Sequence, residues 1–215
     1  MTRTYAISGS ASGIGKATAT LLKDLGHRVI GIDVRDADVV ADLASAAGCA
    51  SLPDRVSELA SAGLDAVLAI AGGPTEVNYL STDTTAIAAA TELAMSQGRE
   101  NLLYATSKRA VSQWIRRNSI APQWAGAGIP LNAVAPGIIR TPMTEPILAT
   151  EDGRKSLLEM VLMPLAGPAG AMAVAKMLAW MTGEDNSRVT GQVIFLDGGA
   201  DATIRGDLVF DASHR

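Results

Sequence analysis

Tyr104 and Lys108 have side chains that could transfer a proton, and they lie four positions apart. Both fall in a helix predicted over Tyr104–Arg117. Residues at i and i+4 share one helix face, so the phenol and the ammonium are expected to be neighbours. A nearby ammonium stabilises phenolate, and such a tyrosine can take a proton from an alcohol or return one. The alternative is two ordinary residues on an exposed helix face.

A glycine-rich turn between a predicted strand and a predicted helix could hold phosphate groups. In Ser8–Gly15 the first glycine allows a tight exit from the strand, the second lets backbone approach a pyrophosphate, and the third lets the helix pack closely. The helix N-terminus adds N–H groups and partial positive charge. A purely structural turn is the alternative. The residues predicted to contact a dinucleotide are Gly9, Ser10, Ser12, Gly13, Ile14 and Gly15.

Asp33 ends the second predicted strand and indicates the kind of dinucleotide. A carboxylate there can accept both hydroxyls of an adenosine ribose and would repel a 2′-phosphate. Position 12 is serine, so the turn offers no basic residue to attract that phosphate. Arg35 is expected to pair with Asp33 or Asp36 at the surface. The cofactor prediction is therefore NAD, unless Asp33 merely caps a turn.

A third predicted strand ends near Asp42 and Leu43, which could border the adenine. An ordinary turn aspartate is the alternative for Asp42.

Strand-like and helix-like segments alternate along the chain. Gly26 is a natural end for the first helix, and Ala66–Ala71 reads as a central strand buried on both faces. The alternation predicts a parallel sheet with helices on both faces. The predicted strands are Thr4–Ser8, Arg28–Ile32, Val39–Leu43, Ala66–Ala71, Leu131–Val134 and Gln192–Leu196; the predicted helices are Ile14–Leu25, Asp54–Ala62, Thr84–Gln97, Tyr104–Arg117, Glu151–Val161 and Ala169–Met181.

Composition excludes several classes of function. The 215 residues carry a formal net charge of −4, which argues against a nucleic-acid-binding face. One cysteine excludes an intramolecular disulfide, and with only two histidines a transition-metal site is not expected. No apolar run is long enough to span a bilayer, and no signal peptide is evident. A soluble, cytoplasmic protein without a membrane or nucleic-acid partner is expected.

In their order along the chain, these motifs resemble the short-chain dehydrogenase/reductase family. The resemblance covers nearly the whole chain. Residues 31–37 and 39–43 are similar to the branch that holds bacterial 3α-hydroxysteroid dehydrogenase/carbonyl reductases and coniferyl-alcohol dehydrogenases. The motifs are the glycine turn, Asp33, Ala71-Gly72, Tyr104-Ala105-Thr106-Ser107-Lys108, Pro136-Gly137 with Thr141-Pro142, and Asp197-Gly198-Gly199.

The resemblance implies a fold, a reaction and roles for these residues. The fold would be a Rossmann-type three-layer α/β/α sandwich with a mostly parallel central sheet, in one domain over residues 1–215. The reaction would be NAD-dependent interconversion of a hydrophobic secondary or aromatic alcohol and its carbonyl. Tyr104 would be the acid/base, and Lys108 would also hold the nicotinamide ribose. Ala71 and Gly72 would line the cofactor, and the loop with Pro136, Gly137, Ile138 and Thr141 would hold its carboxamide.

Two features depart from the family pattern. Ile70 stands where the family has an asparagine before Ala-Gly, and residues 73–103 supply only 31 positions where the family uses several tens more. In the favoured alignment, Asn78 begins the family's long interface helix and joins the proton relay, while the segment with the catalytic serine is missing. In the other, Tyr79–Thr82 is a remnant of the fifth strand, and Ser81 or Thr82 replaces that serine. Asn78 and Ser81 could each instead be a structural loop residue.

The remaining expectations concern substrate and partners. Residues 143–163, rich in methionine and leucine, are predicted to cap a bulky apolar substrate, because methionine adapts its shape; a helical hairpin core is the alternative. The resemblance implies a homodimer or homotetramer through Ala169–Met181 and Gln192–Leu196. The residues that could supply its apolar patch are Met172, Met177, Trp180 and Met181.

Two other functions are alternatives to an NAD-dependent oxidoreductase. One is an NAD(H)-binding family member with impaired or no catalysis, because the serine-bearing segment is absent. The other is a scaffold subunit that keeps only the fold.

Overall fold

The computed structural model describes residues 1–72, 96 and 100–210; at residues 100–103 and 210 it describes only the backbone. Its contacts group into two compact units, each described by itself below. The first comprises Met1–Ala71, Val134–Asp185 and Ile194–Arg215, and the second Gly72–Ala133 and Asn186–Val193. No helix among the described residues is both long and apolar enough to cross a membrane.

The first unit contains a four-stranded parallel sheet with the strand order β3-β2-β1-β4. The register pairs Ser8 with Ile32 on one side and with Ala69 on the other. The carboxyl ends of β1, β2 and β4 therefore meet at one edge, where ligands bind in open α/β sheets. The strands are β1 Thr4–Ser8, β2 Arg28–Asp33, β3 Val39–Val40 and β4 Ala66–Ala69.

Helices cover both faces of this sheet. On β1, Ala6 packs with Val56 of helix α2 (Ala46–Leu59), while Tyr5 and Ile7 face Leu22 of helix α1 (Gly13–Asp24). Alternate residues of a strand point to opposite faces, so one strand serves two apolar cores. The predicted three-layer α/β/α arrangement is confirmed.

The rest of the first unit consists of short strands and helices. Strand β5 pairs with β8, and β6 pairs in parallel with β7. The elements are β5 Ala133–Pro136, β6 Ile139–Arg140, α4 Glu145–Leu148, α5 Glu151–Met160, β7 Ala169–Gly170, α6 Ala171–Thr182, β8 Val193–Leu196, α7 Ala200–Arg205 and a 3₁₀ segment Gly206–Phe210. Helix α6 packs against α1.

The second unit is organised around helix α3 (Glu100–Asn118), which is followed by a 3₁₀ turn, Ala125–Ala127. The rings of Trp114 and Trp124 meet edge to face, with centroids 6.1 Å apart. Ser119 is buried against Gly191, where any side chain would collide with the Ser119 hydroxyl.

Several predicted boundaries were wrong. Helix α2 begins at Ala46 rather than Asp54: the Ser45 hydroxyl accepts from Gly48 N and caps it, and the helix continues through Pro53. Strand β3 stops at Val40, because a turn starts at Asp42.

Two further strand predictions also need correction. Strand β5 runs over Ala133–Pro136 instead of Leu131–Val134. Strand β4 is not buried on both faces: Leu68 is buried, but Val67 is 66% exposed. The helix predicted over Thr84–Gln97 lies outside the described residues, except for position 96.

Candidate active site

The glycine turn is a tight backbone cradle at the carboxyl end of β1. Gly9 has a φ of +73°, and a Cβ there would lie 3.0 Å from the backbone nitrogen of Ala71. A Cβ on Gly15 would overlap the carbonyl oxygen of Gly9. Glycine is therefore required at both positions by backbone contacts, and a side chain at either would fill the cradle.

Ser8 is a residue of this edge that the sequence interpretation missed. Its hydroxyl accepts hydrogen bonds from the backbone N–H groups of Ile70, at 3.0 Å, and Ala71, at 3.1 Å. These bonds tie the ends of β1 and β4 together. Ile70 cannot make a polar side-chain tie here, and Ser8 supplies one from the neighbouring strand. A polar residue that ends a strand otherwise buried is the signal that could have found it.

The N-terminus of α1 leaves N–H groups available for a ligand. Ser12 precedes the helix in an extended conformation, and its side chain makes no capping hydrogen bond. The first N–H groups of a helix have no partner within the helix, so they attract anions. Gly13 has a φ of +51°, and a Cβ there would lie 3.4 Å from Cγ2 of Thr141. Thr141, predicted to belong to the same site, therefore borders this turn.

Asp33 is anchored to the same turn. Its Oδ2 accepts from the backbone N–H of Ala11 at 2.9 Å, and its Oδ1 accepts from Val34 N–H at 2.7 Å. A carboxylate can accept about four hydrogen bonds, so acceptor positions remain for two ribose hydroxyls. Arg35 is exposed and forms no ion pair within 4.0 Å among the described residues, so the expected pairing with Asp33 or Asp36 is wrong.

Asp42 and Leu43 have local structural contacts. The Asp42 carboxylate accepts from Ala44 N–H, and its backbone carbonyl accepts from the Ser45 hydroxyl. Leu43 packs against the apolar core beside α2. These contacts are those of the turn aspartate that the sequence left as an alternative.

The loop from Pro136 to Thr141 packs against Met163, a residue that the sequence analysis assigned only to the substrate cap. The buried thioether of Met163 accepts the backbone N–H of Ile138 at 3.2 Å. A Cβ on Gly137 would lie 3.0 Å from the Met163 methyl carbon and 2.9 Å from Cα of Asp197. The Thr141 N–H donates to the Thr144 hydroxyl, which fixes the far end of the loop.

Tyr104 and Lys108 lie together on helix α3 in the second unit. The Lys108 Nζ is 5.2 Å from the centroid of the Tyr104 ring, a cation–π distance. Tyr104 is 45% exposed, and Lys108 is exposed. The adjacent Ser107 is buried and donates to the Tyr104 carbonyl, so it belongs to the packed side of the helix. The pair thus offers a solvent-accessible phenol beside a cation.

Three predicted site residues contribute no described contact to the site. Asn78 and Ser81 lie outside the described residues, so the two alignments of residues 73–103 stay predictions. Gly72 is exposed at the start of the second unit.

The segment predicted to cap the substrate divides into two sets. Leu148 and Met163 are buried in an apolar cluster with Ile138. Other large apolar residues of the segment remain exposed: Met143, Ile147, Met160 and Leu162. The first set forms a core, as the alternative proposed, while the second leaves an apolar surface available.

Comparisons with known proteins agree with this arrangement. A family model described as "Enoyl-(Acyl carrier protein) reductase" matches residues 76–201. The 3-alpha-hydroxysteroid dehydrogenase/carbonyl reductase of Comamonas testosteroni is 31% identical over 251 aligned positions, covering 93% of this chain and 96% of the relative. An alignment of 251 positions exceeds the 215 residues present here, so that relative carries segments without a counterpart in this chain.

Solved structures show the same likeness. The crystal structure of the 3-alpha-hydroxysteroid dehydrogenase from Pseudomonas sp. B-0831, complexed with NADH, is 33% identical with a TM-score of 0.79, and the match covers 94% of this chain and 98% of that one. A structure of ElxO with NADP bound has a TM-score of 0.71 at 20% identity, covering 93% and 99%, and shows the shared fold.

The chain belongs to the short-chain dehydrogenase/reductase family. The prediction of a dinucleotide-dependent oxidoreductase with a Rossmann-type fold is confirmed.

Proposed function

We propose that this protein uses NAD to interconvert a hydrophobic secondary alcohol, such as a 3α-hydroxysteroid, and its carbonyl. The observation that carries the proposal is the exposed Tyr104 phenol, with the Lys108 ammonium 5.2 Å from its ring. The relatives named for hydroxysteroid and carbonyl substrates support the substrate class.

The residues around the glycine turn fit a dinucleotide. The cradle of Gly9 and Gly15 brings backbone close to a pyrophosphate, and the open N-terminus of α1 offers N–H donors. Asp33, held by Ala11 and Val34, accepts the adenosine ribose hydroxyls. The fixed carboxylate favours NAD over NADP, because a 2′-phosphate would place two further negative charges beside it.

Each side chain of the pair has a defined task. Bound NAD supplies the acceptor for the hydride that leaves the carbinol carbon. Tyr104 takes the hydroxyl proton of the alcohol as its C–O bond becomes a carbonyl, and returns that proton in the reverse direction. The Lys108 ammonium stabilises negative charge on the phenol oxygen and binds the nicotinamide ribose.

The exposed apolar residues of the cap segment suit a bulky apolar substrate. Met143 and Met160 are 54% and 73% exposed, and methionine can adapt its shape to different ligands. Burial of these side chains against a substrate would remove apolar surface from water, which favours binding.

Two measurements made together test the proposal. NADH formation is followed with a panel of hydrophobic secondary and aromatic alcohols, 3α-hydroxysteroids included, and NADH binding is followed by fluorescence. We expect turnover with at least one alcohol and binding of NADH. Binding of NADH without turnover across the panel would favour a dinucleotide-binding protein without catalysis. Absence of both binding and turnover would favour a scaffold subunit that keeps only the fold.

The same proposal includes a symmetric dimer through α6 and β8. A groove of about 490 Å³ runs between these elements, and its lining is mostly apolar: Ala173, Lys176, Met177, Trp180, Ile194 and Leu196. Trp180 and the nearby Met172 are each about two-fifths exposed. Met181 was predicted to belong to this patch, but that prediction is wrong, because Met181 is buried inside the unit.

An isologous contact needs a self-complementary apolar patch, which a second copy of this face would supply. Light scattering should show a dimer for the wild type and for the control Met160→Glu, and a monomer for Trp180→Glu. A wild-type monomer at micromolar concentration would contradict the dimer.

A further inference from the structure

A second carboxylate, Asp38 of the loop before β3, is bonded to strand β2 beside the glycine turn. Its Oδ2 accepts from the backbone N–H of Gly31 at 2.7 Å. The space that a side chain of Gly31 would occupy contains Oγ of Ser10 and Oδ2 of Asp38, at 2.6 and 3.4 Å from the missing Cβ. Gly31 therefore lets a residue of the phosphate turn and a carboxylate of the following loop approach the same point.

The backbone explains why the carboxylate is fixed there. Strand β3 pairs with β2 only from Val39, which is matched with Ile32. The Gly31 N–H comes one position earlier, and the Asp38 side chain supplies its acceptor. A carboxylate that accepts a backbone N–H forms a charge-assisted bond, which holds the negative charge in place. The loop before it turns at Asp36, whose φ is +50°.

Gly31 and Asp33 are two positions apart on β2, so they present their side-chain positions on one face of the sheet. Two strand residues span about 6–7 Å. Asp33 accepts from the Ala11 N–H, and Asp38 meets Ser10 at the Gly31 position, so the two carboxylates lie beside successive residues of the glycine turn. Arg35 is the cation in this loop, and it forms no ion pair among the described residues.

We propose that Asp38 is a second specificity-determining residue that excludes a 2′-phosphorylated dinucleotide from the site at Asp33. This inference rests on the proposed dinucleotide binding. A ribose on Asp33 brings the 2′ position toward both carboxylates, so a phosphate there meets two fixed negative charges. A free 2′-hydroxyl carries no charge, and Asp38 leaves its binding almost unchanged.

Equilibrium binding of NADH and NADPH, measured by fluorescence, tests this role without turnover. Asp38→Asn removes the charge but keeps a side-chain oxygen that can accept from Gly31. Asp36→Asn is the matched control: it removes the same charge from an exposed residue of the same loop, and asparagine tolerates a positive φ. We expect Asp38→Asn to tighten NADPH binding about fivefold and to leave NADH within about twofold. The control should change neither by more than about twofold.

Salt provides an independent readout of the same charge. Raising salt from about 0.1 M to about 1 M screens exposed charges, so the wild-type preference for NADH should narrow more than that of Asp38→Asn. A purely structural role would not produce this difference.

The possible failures are distinguishable. Equal weakening of both dinucleotides by Asp38→Asn would make Asp38 a structural residue of the loop. An equal effect of Asp36→Asn would reduce the role to the general charge of the loop. Wild-type binding with an unchanged NADPH affinity in Asp38→Asn would overturn the role of Asp38 alone. A wild type that binds neither dinucleotide would overturn the proposed function itself.

Discussion

The glycine turn and the Tyr104–Lys108 pair are held in place to different degrees. Around the turn, the Asp33 carboxylate accepts two backbone N–H groups, Ser8 accepts two more, and glycine is required where backbones touch. On helix α3, Tyr104 and Lys108 are exposed, and the contact between them is a cation above a ring. The glycine turn is thus held by backbone contacts, whereas the Tyr104–Lys108 pair consists of two exposed side chains on a helix.

This difference has a consequence for substitution. A change in the turn disturbs a packed backbone, and its effect should extend to both folding and the proposed cofactor binding. A change at Tyr104 or Lys108 removes one chemical group from an exposed surface and should leave the fold intact.

The largest expected effect is on turnover by Tyr104→Phe. The variant keeps the ring and removes the hydroxyl, so the rate should fall about 10²–10⁴-fold, the typical contribution of an acid–base group. NADH affinity should stay within about twofold if the hydroxyl acts only in the reaction. Thr106→Ala, which removes an exposed hydroxyl from the same helix, is the control and should keep its rate. A phenylalanine variant of near wild-type rate would remove Tyr104 from the mechanism.

Lys108→Met should lower both turnover and NADH affinity, because one ammonium serves the phenol and the ribose. Loss of a charge-assisted hydrogen bond of about 1.5–3 kcal/mol corresponds to a decrease of roughly 10–150-fold in each measurement. Arg109→Met removes an exposed cation one position along and should have little effect. If Lys108→Met binds NADH and turns over like the wild type, Lys108 is only a surface residue.

Gly15→Ala should weaken NADH binding by at least about tenfold and lower stability by about 1–3 kcal/mol, since the new Cβ would overlap the Gly9 carbonyl. Gly170→Ala provides the contrast, because a Cβ there meets nothing within 4 Å. Fluorescence titration with NADH and thermal unfolding measure the two effects. Unchanged binding by Gly15→Ala would show that the turn does not hold the dinucleotide.

Asp33→Ser should narrow the preference for NAD over NADP by about tenfold. The variant loses hydrogen bonds to the ribose and also loses the repulsion of a 2′-phosphate, so the two affinities move in opposite directions. The measurement is kcat/KM with both cofactors. Equal use of NAD and NADP by the wild type would show that Asp33 does not face the ribose.

The sequence predicted the elements around the glycine turn well because their signals are local. Strand β1 follows from its apolar pattern, and the end of α1 before Gly26 follows from a glycine whose φ is +82°. The start of helix α2 was predicted too late. The Ser45 hydroxyl caps the helix, which then continues through Pro53, although a proline usually ends a helix. The sequence could have marked Ser8 as a polar strand end, but the hydrogen-bond partners of Ser8, Asp38 and Met163 could not be predicted, since each bond joins residues distant in the sequence or across a loop.

Transfer of deuterium tests the central claim most directly. Hydrophobic secondary alcohols deuterated at the carbinol carbon, a 3α-hydroxysteroid among them, are incubated with NAD and the wild-type protein, and the NADH is analysed by mass spectrometry. We expect the wild type to form NADH that carries one deuterium, and Tyr104→Phe to form far less of it. A protein that binds NADH but forms no deuterated NADH from NAD with any alcohol of the panel would contradict this claim.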